Sequence, residues 1–152
     1  CSSAHSQALN ANRKAYAAWA LWCAIAADLD RDEIPDEWEE RHGTTGMFGS
    51  GTNDCDHDGY TDTQEYIADT DPDDTGSVFR IAAFFPTNSF GITFQSSTGR
   101  LYSLSGCAAL ESGSWSMVPG QTNVPGHASG TTTLTETNEA VLKAYRVGVN
   151  LP

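Results

Sequence analysis

Two stretches of twelve residues, DLDRDEIPDEWE at 28–39 and DCDHDGYTDTQE at 54–65, carry acidic side chains at the same five places: first, third, fifth, ninth and twelfth. Nothing else in the chain constrains its fold as strongly. Seventeen of the twenty Asp and Glu residues lie between Asp28 and Asp74, against two arginines in that interval. Carboxylates at this density repel one another in a compact chain unless a cation lies among them. The spacing provides a place for one. Oxygen ligands at places 1, 3, 5, 7, 9 and 12 of a twelve-residue turn wrap a hard cation at about 2.3–2.6 Å, with the six or seven oxygens that suit calcium. In the second loop the expected ligands are Asp54, Asp56, Asp58, the Tyr60 carbonyl, Asp62 and a bidentate Glu65. Gly59 at place 6 supplies the positive φ that reverses the turn. In the first loop they are Asp28, Asp30, Asp32, the Ile34 carbonyl, Asp36 and Glu39. Two calcium ions are therefore expected, with the second loop the better cage.

The first loop departs from the template twice. Glu33 stands at place 6, where keeping a left-handed backbone costs a non-glycine residue about 1 kcal/mol. Pro35 stands at place 8 and has no amide hydrogen to offer a partner loop. The loops begin 26 residues apart, and the glycine-rich linker 44–53 leaves no room for a helix entering the second. Each loop is expected to hold its ion without the backbone pairing of a two-loop lobe.

The formal net charge of −12, with eight basic residues scattered along the chain, argues against nucleic acid, which needs clustered Lys and Arg. Cys1, Cys23, Cys55 and Cys107 include no CxxC pair, so the chain offers neither a zinc ribbon nor a thioredoxin-type site. An even cysteine count is compatible with disulfides, although Cys1 and Cys23 on one helix would stand about 33 Å apart. The four histidines lack zinc spacing, and His57 at place 4 is expected to face outward. No GxSxG, HExxH or phosphate-binding glycine loop occurs. Glycosidase carboxylates face each other across a cleft, whereas these converge on one point. The expectation is a protein that is not an enzyme.

Residues 4–27 lack Gly and Pro and are rich in Ala, which predicts a helix. From Ala15 to Ala27, through Tyr16, Trp19, Trp22 and Ile25, it has no polar face. Thirteen residues rise about 20 Å, short of a bilayer's hydrocarbon core. Three readings fit: a secretory signal, a core helix, or a helix buried by neighbouring copies in a homo-oligomer or fibre. Short helices are expected at Asp36 to His42, ended by Gly43, and at Thr63 to Ala68, stopped by the Asp71-Pro72 turn. After Ser77, six runs of period two predict a small antiparallel sandwich: VFRIAAFF, GITFQSS, RLYSLS, SWSMV, TTTLTE and KAYRVGVNL. Aromatics exposed on it, Trp115 or Phe90, would suit a sugar, but core packing at alternating strand positions is the stronger reading.

The runs Asp-x-Asp-x-Asp-x-Ile-Pro-Asp-x-Trp-Glu, Asp-x-Asp-x-Asp-Gly-x-x-Asp-x-x-Glu-Tyr and Thr70-Asp71-Pro72-x-Asp74 resemble the thrombospondin type 3-like calcium repeats of secreted bacterial proteins, and more distantly EF-hand and dockerin loops. The resemblance covers residues 28–79. It implies calcium-stabilised spacers in which Asp69, Asp71 or Asp73 completes a site. GRLYSLSGCAALESGSWSMV and AYRVGVNLP resemble a small β-domain that follows such repeats, which implies Tyr102, Trp115 and Tyr145 as core aromatics. Cys1-Ser2-Ser3 resembles the start of a mature bacterial lipoprotein, and a lipid on Cys1 is the one membrane attachment expected.

The expected fold is α+β in three parts: an apolar helix at 1–27 for assembly or anchoring, two calcium loops with short helices at 28–76, and an antiparallel β-sandwich at 77–152. The expected function is that of a secreted or cell-surface structural protein, repeated in an extracellular fibre or surface assembly. The alternative is a carbohydrate- or protein-binding module of a secreted enzyme or adhesin.

Overall fold

Alternation along the last half of the chain becomes two antiparallel sheets packed face to face. The computed structural model describes residues 13, 16–20, 28–44, 50–86, 90–137 and 144–152. The first sheet holds β1 (Ile81–Pro86), β2 (Phe90–Gln95) and β6 (Thr131–Glu136) in the order β1-β2-β6. The second is built on β3 (Leu101–Cys107). Strand β7 (Ala144–Asn150) pairs with its whole length, while β4 (Ser116–Met117) and β5 (Val124–Pro125) pair with its two ends. Between β4 and β5 the chain turns back onto β3, where Val118 N donates to Leu104 O and Leu104 N to Gln121 O.

Period two determines which side chains meet. Along β6, Thr132, Leu134 and Glu136 are buried and their neighbours exposed. Leu134 joins Ile92 and Phe94 of β2 against Tyr102 and Leu104 of β3, with Val118 closing the core. Each such side chain is worth about 1.5–3 kcal/mol when fully buried. Phe79 stacks on Tyr102 and meets Phe94 edge-on, so the chain enters the sandwich through its core. Tyr145 stacks on Phe90 with ring centroids 3.8 Å apart, and its hydroxyl donates to buried Glu136.

All six expected runs contain a strand; Val124–Pro125 is a seventh, too short for a period to register. Of the three expected core aromatics, Tyr102 is in the core and Tyr145 packs against it. Trp115 is a correction: it is half-buried outside the core, with the Arg146 guanidinium 4.6 Å from its ring centroid. It precedes a two-residue strand whose side chains are both exposed, so no inward face is available there.

Helix α1 (Asp36–His42) has the expected bounds, and Gly43 ends it at φ 69°. Pro35 is its N-cap, where a missing amide costs nothing. Helix α2 (Asp62–Ala68) begins one residue earlier than expected. Its stop is also earlier than the Asp71-Pro72 turn, because Asp69 takes the left-handed cap at φ 62°. The expected linker is partly structured, since Ser50–Thr52 form a 3₁₀ turn. Residues 13 and 16–20 are helical, with Tyr16 and Trp19 exposed. The rest of the expected helix over 4–27, including Trp22 and Ile25, lies outside the described residues, as do Cys1 and Cys23. Cys55 and Cys107 are free thiols.

Candidate metal centre

Both twelve-residue loops fold alike, and their aspartates make them do so. At place 1, Asp28 accepts from the amides of Arg31 and Glu33, at places 4 and 6. Asp54 accepts from Asp58 and Gly59, at places 5 and 6. At place 5, Asp32 and Asp58 each accept from the amide two residues on, at 2.9 and 2.8 Å. At place 9, Asp36 accepts from Leu29 N and Asp62 from Cys55 N, in both cases the amide of place 2. These short bonds draw the backbone into a coil with its carboxylates on the inside.

The backbone dihedrals agree. Place 4 is left-handed in both loops, at φ 65° for Arg31 and 67° for His57. Place 6 is left-handed in both as well, at 97° for Gly59 and 76° for Glu33. The hydrogen bonds to the place 1 carboxylate thus hold the turn even where the side chain is glutamate.

In the first loop, carboxylate oxygens of Asp28, Asp30 and Asp32 lie within 4.8 Å of one another, and so do those of Asp30, Asp36 and Glu39. Asp30 belongs to both groups, so each of the five expected acidic ligands takes part in one group or the other. In the second loop the same grouping unites Asp54, Asp56 and Asp58 only. Asp62 and Glu65 are held by neighbours instead. The Cys55 thiol donates to Asp62 Oδ2, which leaves both oxygens of Asp62 engaged by Cys55. The Thr70 hydroxyl donates to Glu65 Oε1 at 3.1 Å. Glu65 Oε2, Asp56 Oδ2 and Asp58 Oδ2 are buried with no hydrogen-bond partner.

Glu65 is only 2% exposed. A buried carboxylate oxygen without a donor is expensive, and three in one loop call for a positive charge. The proton affinities register the same deficit. Burial, opposed by the Thr70 hydrogen bond and reinforced by Asp56, Asp58 and Asp62, pushes Glu65 up to about 7. Burial also raises Asp56 and Asp62. Burial and the neighbouring Asp62 push the Cys55 thiol up to about 11, which keeps it protonated and donating. Each of the three carboxylate groups could hold a metal ion, and an all-oxygen donor set suits a hard one.

The place 7 residues differ on the outside: Ile34 is fully buried, whereas Tyr60 is exposed. His57 points outward as expected. Asp69, Asp71 and Asp73 belong to none of these carboxylate groups among the described residues. Asp69 faces Arg100, and Asp71 lies 3.4 Å from His42 Nδ1.

The loops are neighbours without backbone pairing among the described residues. At place 8, Pro35 has no amide, and the Thr61 amide is taken by the Gln64 side chain in a capping box. Gly51 joins them instead. Its amide donates to Asp32 Oδ2 at 2.6 Å, and its carbonyl accepts from the Thr63 hydroxyl at 2.7 Å. A Cβ there would lie 2.5 Å from that hydroxyl, so a larger residue would displace the Thr63 side chain and its bond to the Gly51 carbonyl. Trp38 of α1 meets Tyr66 of α2 edge-on at 5.4 Å.

The sequence frame misses Gly51, Thr70 and Arg100, which act on the loops from outside the twelve residues. The Arg100 guanidinium donates to Tyr66 O and Ile67 O at the end of α2. Compared with protein-family models, curated proteins and solved structures, the chain matches none.

Proposed function

We propose that this chain is a calcium-stabilised structural protein without enzymatic activity, in which residues 28–65 bind two calcium ions and brace a β-sandwich. The observation that carries the reading is the set of buried, unpartnered oxygens on Asp56, Asp58 and Glu65. The dimensions support it. Oxygens at about 2.4 Å from one ion lie at most about 4.8 Å apart, and the carboxylate groups fall within that span. Tyr60 and Ile34 at place 7 would contribute carbonyls, and Asp62 a direct or water-mediated contact. Calcium then acts as folding free energy, because it binds the folded loops and not the unfolded chain. Chelation with EDTA is expected to lower the melting temperature and loosen residues 28–75. Identical melting with and without chelator removes the calcium reading.

A secreted or cell-surface setting is part of the proposal, supported by the resemblance of these loops to the calcium repeats of secreted bacterial proteins. We further propose that the protein is a subunit of a fibre or surface assembly. Support comes from the helical residues 16–20, where Tyr16 is 73% and Trp19 67% exposed. Large contiguous apolar surfaces mark interaction sites, and the unbroken apolar run from Ala15 to Ala27 would supply one. Replacing Trp19 by Ser should abolish assembly while the sandwich still folds; unchanged assembly by light scattering would count against this role.

A further inference from the structure

We propose that Arg100 is a positioning residue through which cation binding at the second loop and the fold of the sandwich are coupled. The inference rests on the reading of that loop as a cation site. Glu65 at place 12 lies in the first turn of α2, and its neighbours Tyr66 and Ile67 present their carbonyls near the other end. Carbonyls in the last turn of a helix lack intrahelical donors and attract cations. Arg100 supplies both. Its Nε donates to Ile67 O at 2.8 Å and its terminal nitrogen to Tyr66 O at 2.6 Å. The same group lies 3.2 Å from Asp69 Oδ1, at the cap, and 5.6 Å from the Tyr66 ring centroid. Its side chain is only 11% exposed.

Arg100 is equally tied to the sandwich. It immediately precedes β3, its amide donates to Ser97 O, and its carbonyl accepts from Gly126 N. Ser97 N in turn donates to the hydroxyl of Tyr102, a fully buried core residue. A continuous path therefore runs from the Glu65 carboxylate, through one helical turn, to Arg100 and the Tyr102 ring. An ion that draws Glu65 inward fixes the turn Arg100 grips, and an Arg100 held by the sandwich presets Glu65 for the ion. Such coupling is reciprocal by thermodynamic necessity.

The test is a calcium titration of the full chain by calorimetry, comparing the wild type with Arg100→Gln, Arg100→Lys and Arg80→Gln. Removing a positive charge from an acidic protein by itself tightens calcium, so simple electrostatics and positioning predict opposite signs. Coupling predicts that Arg100→Gln weakens binding at the second loop about fivefold or more. Arg100→Lys should recover part of the loss, since it keeps the charge but can reach fewer carbonyls. Arg80→Gln, at an exposed residue, should leave the affinity unchanged or slightly tighter. Equal or tighter binding by a folded Arg100→Gln protein overturns the proposal. If that variant does not fold, hydrogen exchange on the wild type decides. Calcium should slow the amides of Ser97 and Arg100, and unchanged exchange there overturns the coupling. A wild type that binds no calcium defeats the reading of the loop itself, whereas normal binding unaffected by Arg100→Gln defeats the coupling alone.

Discussion

The two acidic loops share a backbone and differ in how far their ligands are gathered. In the first, two groups of three that share Asp30 take in all five carboxylates, although place 6 is glutamate. In the second, with glycine at place 6, only three converge while Asp62 and Glu65 are held by Cys55 and Thr70. The comparison separates two properties that the spacing alone merges. Loop shape comes from the hydrogen bonds of the aspartates to nearby amides, and readiness for an ion comes from what holds the carboxylates at places 9 and 12.

The largest effect should come from Glu65→Gln. Calcium affinity of the second loop should fall at least about tenfold by titration, as expected when a carboxylate donor is lost. In EDTA the same change should raise the melting temperature, because it removes a buried charge without a counter-ion. A fall in both would contradict the role given to Glu65. The metal-free wild type carries the same signature in pH. A Glu65 carboxyl raised from 4.5 to about 7 binds its proton more tightly in the folded chain. That contribution to stability is complete below about 4.5 and is lost as pH rises through 7. Melting in EDTA should therefore occur at higher temperature at pH 5 than at pH 8, and Glu65→Gln should flatten this difference.

A middle-sized effect tests the shared backbone. Glu33→Gly should stabilise the chain and Gly59→Ala destabilise it, each by about 1 kcal/mol, because both positions keep positive φ. Denaturant midpoints that move the same way for both would break the equivalence of the loops. The smallest effect tests their difference. Cys55→Leu places at the second loop what Leu29 supplies in the first, and removes the thiol bond to Asp62 Oδ2. Calcium should bind roughly twofold tighter, about 0.5 kcal/mol for one weak hydrogen bond released. Weaker binding would mean that the thiol assists the site.

The acidic frame was readable because its period is local: places 1 to 9 bond within seven residues of one another. Helix α1 and the six strand-bearing runs were readable for the same reason, in capping signals and alternation. The pieces that escaped act at long range. Gly51 reaches Asp32 across 19 residues, and Arg100 reaches Ile67 across 33. Nothing near either residue in the chain marks its partner. Trp115 enters the expected core through the resemblance of its segment to a small β-domain, and an aromatic in such a run does not distinguish burial from cover by an arginine.

The most direct test of the account is a calorimetric count of calcium ions on the wild type and on a double variant, Asp56→Asn with Asp58→Asn. The account predicts two ions per chain for the wild type and one for the variant, with the first loop's affinity retained. No binding at millimolar calcium, or the same two ions on the variant, would contradict it.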